Sequence, residues 1–291
     1  MPTRVWHALV GLIALLVAAV VGLDQWQARR GEASLFQSSW SPRSPERSPV
    51  SSDSRSAALG SSGSTARQPA RAPRVAVIVD ELGSRRDVLE SLRSLGRPVA
   101  VAILPGRPHS QAIAREASVQ GMEVLLDLPL EPYRYPEVDP GPGAVLMSTR
   151  EGEIRRLVAR HLEALPGVVG VTNHMGSRLT EDRAHMRAIL SEVAARRLFL
   201  VDGYTSNWSV AYDEARAMGV RAARRHIAVE QGRGEGAERA SWSEVTTWTE
   251  RHGEAIVIVH SRPETLRLLQ EYIPRWEATG LKLVLVSELA H

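Results

Sequence analysis

Cysteine is absent from the 291 residues of this chain. Disulfides, thiol nucleophiles and cysteine-ligated zinc or iron–sulfur centres are thereby excluded, so any metal must rest on carboxylates and histidine. Neither a G-x-G-x-x-G after the first apolar strand nor a P-loop occurs, which leaves nucleotide binding without support. Aromatic residues are scarce at 5%, beside 43% hydrophobic and 24% charged residues. This composition fits neither a disordered chain nor a multi-span membrane protein, and the length suffices for one large domain or two small ones. The formal charge of +3 is unevenly spread. Residues 1–72 hold eight arginines and four acids, and residues 73–291 hold 28 basic and 29 acidic groups. The globular part has no cationic bias towards nucleic acid.

One long apolar run is present, residues 8–23, sixteen residues without a polar side chain. As a helix it reaches about 24 Å, and Trp6, His7 and Trp26 carry it towards both interfaces. We read residues 1–30 as an uncleaved signal anchor; a cleaved signal peptide is the competing reading, because Arg4 precedes a short apolar core. No small-x-small site follows that core. Arg29 and Arg30 follow the run, so the positive-inside rule does not set its orientation. Residues 31–72 are rich in Ser, Pro, Arg and Gly and read as a disordered tether.

From residue 73 onward, short apolar runs alternate with amphipathic stretches. Strands are expected at 74–81, 98–105, 123–131, 168–175, 198–204, 220–229, 254–260 and 281–289. Near-continuous Val/Ile/Leu runs suit parallel strands covered on both faces. The stretch from Ser148 to Glu151 reads as a capping box, and Thr180 as the cap of the next helix. Gly121, Gly219 and Gly280 fit helix ends. These units predict an irregular (β/α) barrel of seven or eight strands over 73–291, with an open doubly wound sheet as the alternative.

Polar side chains interrupt the apolar runs where the strands end. Asp80 and Glu81 close the first strand, Asp127 and Glu131 lie on the third, and Asn173 and His174 end the fourth. Asp202 ends the fifth, Arg225 and His226 lie on the sixth, and His260 ends the seventh. In a parallel barrel these ends share one rim, the place where such folds assemble active sites. Any single acid at a strand end is usually a cap or an ion pair; six strands showing the pattern together point to a functional rim. Trp242 and Trp248 fit core packing better than sugar stacking.

The segments VAVIVDELG, LPGRPHSQAIAREASVQGMEVLLDLPLEP, GVTNHMGSRLT, FLVDGYTS and VIVHSRPETL, in that order, resemble the divergent polysaccharide deacetylases. That resemblance implies an irregular (β/α) barrel in the bacterial envelope and a metal-dependent hydrolase of N-acetyl groups on an amino-sugar polymer. A divalent metal polarises the carbonyl and its water, a carboxylate takes the water's proton, and an acid protonates the leaving amine. By position, Asp80 would be the base and His260 the general acid or its support, with Asp202 orienting part of the site. Glu81, Asp127 and His174 would hold the metal. Asn173, Arg225 and Glu131 are the candidate substrate contacts, although Asn173 also suits a loop-orienting role and Arg225 an ion pair.

Two metal positions depart from the family pattern. Glu81 stands where an aspartate is expected, and Asp127 stands where the family has histidine. Two carboxylates and one histidine nearly neutralise a divalent ion, which favours harder ions such as Mn or Mg over Zn. Glu230 likewise replaces an expected aspartate. A second reading therefore stays open, in which the barrel holds no metal, has lost turnover, and binds carbohydrate or organises the envelope. A carboxylate-pair glycosidase built on Asp80 and Glu131 is a third.

Overall fold

A computed structural model describes residues 72–229 and 235–291. The apolar run, the tether up to residue 71 and Glu230 lie outside the described residues. Among the described residues, no helix is long and apolar enough to cross a membrane.

Among the described residues, nine parallel strands form one sheet: β1 (Arg74–Leu82), β2 (Ala100–Ile103), β3 (Val124–Leu130), β4 (Val168–Met175), β5 (Phe199–Asp202), β6 (Ala222–Arg224), β7 (Ile227–Ala228), β8 (Glu254–His260) and β9 (Lys282–Leu283). Their order is β6-β5-β4-β3-β2-β1-β8-β7, with β9 paired to the start of β1. The order follows the chain without the reversal of a doubly wound sheet. Between the strands run α1 (Asp87–Ser94), α2 (Ser110–Val119), α3 (Glu151–Ala164), α4 (Arg183–Ala195), α5 (Ala211–Ala217), α6 (Glu235–His252) and α7 (Pro263–Ala278).

The sheet is a curled half-barrel, a more open form of the irregular barrel expected from the sequence. The expected strand at 220–229 breaks at Arg225 and His226 into β6, which pairs with β5, and β7, which pairs with β8. Both edges of the sheet thus end in one kinked segment. The expected strand at 281–289 reduces to the two residues of β9 followed by a 3-10 turn at Val286–Glu288.

Side-chain alternation divides the apolar residues into two cores. Val75, Val77 and Val79 of β1 and Leu126, Leu128 and Leu130 of β3 pack against the helices. Ala76, Ile78, Ala102, Leu125, Phe199 and Ile256 point into the curl. Small residues make room there for the Phe199 ring: a Cβ on Gly170 would lie 2.6 Å from it. Val286, Leu289 and Ala290 belong to the same inner cluster and plug it. Glu123 fixes this plug by accepting from Val286 N (2.6 Å) and Ser287 N (3.2 Å), satisfying the donors at the start of the turn.

Two expected caps differ. Arg150, with no side-chain cap bond, occupies the N-cap of α3, because the Thr149 hydroxyl accepts from Leu146 N instead. Asp182 caps α4 through His185 N at 2.9 Å, and Thr180 donates to the Gly176 carbonyl. Gly121, Gly219 and Gly280 do take positive φ at helix ends (78°, 72° and 88°). Trp242 is fully buried and stacks on Tyr272 and Trp276 at 5.6 and 5.5 Å, so it is core.

Candidate active site

Five of the expected residues come together at the C-terminal ends of β1, β3, β4 and β8. The inward register places them. Ala76 and Ile78 face the curl on β1, so Asp80 does too; Ile256 and Ile258 do so on β8, which brings His260 inward. Asp80 and His260 are register partners across the β1–β8 ladder. His260 Nδ1 consequently lies 2.7 Å from Asp80 Oδ1. This hydrogen bond, more than the neighbouring charges, raises the His260 pKa above the ordinary histidine range.

Glu81 would face the helices in a regular strand. The register between β1 and β2 shifts between Val79 and Leu82, and Glu81 takes the left-handed backbone at φ 59°. Its Oε1 then lies 3.7 Å from both His174 Nδ1 and His260 Nδ1. Asp127, inward above Leu125, is fully buried, and its Oδ2 accepts from Glu81 N at 3.1 Å. Its Oδ1 has no hydrogen-bond partner among the described residues. Burial, and then the Asp80 charge, push the Asp127 carboxyl well above the usual range. Burial lowers the His174 pKa, the direction that favours the neutral imidazole a metal ligand needs.

The metal that the resemblance implies can be tested against these donors. His174 Nδ1 lies 3.7 Å from Glu81 Oε1 and 3.9 Å from Asp127 Oδ2. Those separations exceed hydrogen bonds and approach the ~3.4 Å between ligands of a tetrahedral ion held at about 2.1 Å. With the orphaned Asp127 Oδ1, the donor set fits a divalent cation in kind. Among the described residues, however, no three such side chains are arranged to hold an ion as they stand.

The remaining expected residues make hydrogen bonds to groups outside this cluster. Glu131 accepts from Met147 N (2.7 Å) and Arg178 Nη1 (2.8 Å). Asp202 follows the outward register of Leu200 and accepts from Tyr204 N (2.8 Å) and Ser209 Oγ (2.9 Å), which fixes the loop after β5. Burial raises its pKa. Asn173 bridges loops, donating to the Met175 carbonyl at 2.7 Å and accepting from Gly203 N at 2.8 Å. Arg225 donates to the Tyr204 carbonyl at 3.1 Å. After His174 the chain turns through Gly176 (φ 85°), where a Cβ would come within 2.7 Å of Leu130 Cβ.

The same end of the sheet carries features that strand-end reading passes over. Tyr133 (55% exposed) follows β3 and Trp208 (76% exposed) follows β5. Tyr133 OH and Ser206 Oγ both donate to Glu181, and Trp208 N donates to Ser206 Oγ at 3.1 Å. One carboxylate therefore ties down the loops that hold both exposed rings. Their signal in the sequence is an aromatic residue within a few positions of a strand's C-terminal end.

Residues 77–290 match the family described as divergent polysaccharide deacetylase. The chain belongs to this family. Two relatives within reach are an uncharacterized protein, YibQ, of Escherichia coli K12 and an uncharacterized protein of Haemophilus influenzae Rd. The first is 27% identical over 205 residues, covering 70% of this chain and 64% of YibQ. The second is 29% identical over 197 residues, covering 68% and 70%. The chain thus spans less than two thirds of YibQ. The crystal structure of the uncharacterized protein ATU2773 from Agrobacterium tumefaciens C58 shares the fold, with a TM-score of 0.69 at 23% identity over 76% of this chain and 90% of that one. The divergent deacetylase fold is thereby the frame in which the five-residue cluster sits.

Proposed function

We propose that this divergent deacetylase hydrolyses N-acetyl groups of an envelope polysaccharide with the help of a divalent cation. The observation that carries the reading is the Asp80–His260 pair, whose Nδ1 and Oδ1 lie 2.7 Å apart at the rim of the sheet. Asp80 accepts a proton from the attacking water, and His260 donates one to the amine nitrogen as the C–N bond breaks, giving free amine and acetate. Asp80 then loses its proton to water and His260 regains one at Nε2, which restores the pair. Glu81, Asp127 and His174 are the residues that would hold the cation, which when bound polarises the carbonyl. The exposed rings of Tyr133 and Trp208 support a sugar surface beside the site, since pyranose faces stack on aromatic rings.

Acetate release from N-acetylglucosamine oligomers by the full-length protein, with Zn, Mn or Mg supplied in turn, tests this. Turnover should fall about 10²–10⁴-fold in Asp80→Asn, the usual contribution of a general base, and bound metal should be lost in His174→Ala. A second reading, a glycan-binding barrel without turnover, draws on Asp127, one of whose oxygens is already engaged by Glu81 N. Sugar binding without acetate release under any cation would select it. No binding at all would overturn both.

We also propose that residues 8–23 hold the protein in the inner membrane with the domain outside the cytoplasm. Full-length protein should sediment with membranes and resist carbonate, and protease added to spheroplasts should digest the domain. A soluble full-length protein would contradict the anchor.

A further inference from the structure

Arg107 lies in the loop after β2, and this loop is built to hold its side chain in one place. His109 N donates to the Gly83 carbonyl at 2.8 Å, and Leu104 N to the Leu82 carbonyl at 2.9 Å, tying the loop to the end of β1. Ser110 Oγ accepts from Arg107 N at 3.1 Å and donates to the Leu104 carbonyl at 2.6 Å, closing the turn. Two glycines from other loops then press on the Arg107 stem and head. A Cβ on Gly83 would fall 2.8 Å from Arg107 Cβ, and a Cβ on Gly141 would fall 2.9 Å from Arg107 Nη2. Both glycines have positive φ, 133° and 101°, so glycine is demanded by the backbone as well as by the space. The half-buried guanidinium has no hydrogen-bond or ion-pair partner among the described residues. The bonds to Leu82 and Gly83 hold the loop at the end of β1, the strand that carries Asp80 and Glu81.

An arginine that is confined, partly desolvated and unpartnered, in the loop after the strand between β1 and β3, is a prepared site for an oxyanion. The planar fork of a guanidinium matches a carboxylate with two parallel hydrogen bonds. A doubly charged phosphate would meet the repulsion of Asp80, Glu81 and Asp127, so a singly charged group suits the position better. We infer that Arg107 selects a carboxylate-bearing sugar in the glycan, held beside the N-acetyl group that enters the site. The inference rests on the glycan-site reading above and adds the class of polymer.

The test compares a neutral N-acetylglucosamine tetramer, a hyaluronan tetrasaccharide with its alternating carboxylates, and free glucuronate. Each is titrated calorimetrically into the full-length protein and its Arg107→Gln and Arg107→Lys variants at low and moderate salt. Wild type should bind the carboxylated tetrasaccharide at least about tenfold tighter than the neutral one, the size of a charge-assisted hydrogen bond. Arg107→Gln should erase that preference and leave neutral binding unchanged, and Arg107→Lys should retain a smaller preference that salt removes. The variants' unfolding temperatures should equal that of wild type, because the guanidinium holds no part of the fold. Equal wild-type affinity for both tetrasaccharides would overturn the inference and leave the deacetylase reading standing. So would an Arg107→Gln loss shared equally by both, which would reduce Arg107 to a counter-charge for the carboxylates. If neither tetrasaccharide binds, the glycan reading falls. Glucuronate binding lost in Arg107→Gln would still uphold the anion site, and no glucuronate binding would end it.

Discussion

Glu81 concentrates the local conflict of this molecule. It is a non-glycine residue at φ 59°, and its carboxylate faces two histidines 3.7 Å away while its amide serves Asp127. The left-handed backbone costs an L-residue roughly 1 kcal/mol or more, a strain that persists where function requires the geometry. Replacing Glu81 by glycine removes both the strain and one of three neighbouring carboxylates. Glu81→Gly should therefore be as stable as wild type or more so by roughly 1 kcal/mol, after the glycine's greater unfolded-state entropy is set against it. Acetate release should nevertheless be lost. Thermal unfolding and the acetate assay on one preparation check both halves, and a clear drop in melting temperature would refute the strain argument.

At the scale of elements, α4 and α5 are clasped by one buried carboxylate. Glu214 on α5 receives Arg187 Nε at 2.6 Å and also Arg183, two arginines one turn apart on α4. The Arg187 hydrogen bond, ahead of that from Arg183, holds the Glu214 pKa below its usual range. A carboxyl depressed by folding contributes stability above its unfolded pKa and loses it as pH falls through the folded one. Both arginines are largely exposed, which screens the pairs, so Glu214→Gln should cost about 1 kcal/mol at neutral pH. The gap between variant and wild type should narrow progressively as pH falls below about 4.3, the ordinary glutamate value, towards the depressed folded one. Urea unfolding at pH 7 and pH 3.5 measures it; a gap that persists at low pH would mean that packing, not charge, is lost.

For the molecule as a whole, the inner core is completed from its far end in sequence. Val286, Leu289 and Ala290 close the curl whose first inward residue is Ala76. The chain end also pairs across it, with Ala222 N donating to the His291 carbonyl at 3.0 Å. Leu289 is 3% exposed. Leu289→Ala should cost about 3 kcal/mol, the loss of a buried leucine plus the cavity left behind. Unfolding should remain a single transition, because the plug and the sheet share one core. A loss below 1 kcal/mol, or separate melting of the C-terminal segment, would show that the plug merely rests on the sheet.

The sequence by itself determined the alternation of strand and helix, because near-continuous Val/Ile/Leu runs bounded by glycine leave few other solutions. It also determined which chemistry was available: without cysteine, the strand ends could offer only carboxylates, histidines and arginine. Asp80, His174 and His260 were legible as polar residues ending apolar runs. Which strand-end residues meet was decided by tertiary structure. Both faces of this sheet are covered, one by helices and one by the curl, so the apolar pattern of Phe199 to Val201 does not reveal which face is inner. Asp202 therefore read like Asp80, yet it falls on the outward register and braces a loop. Nor could spacing show that a register shift turns Glu81 inward, or that Gly83 and Gly141, 58 positions apart in the chain, meet on Arg107. Those contacts depend on how far the sheet curls, which is set by the packing of both cores at once.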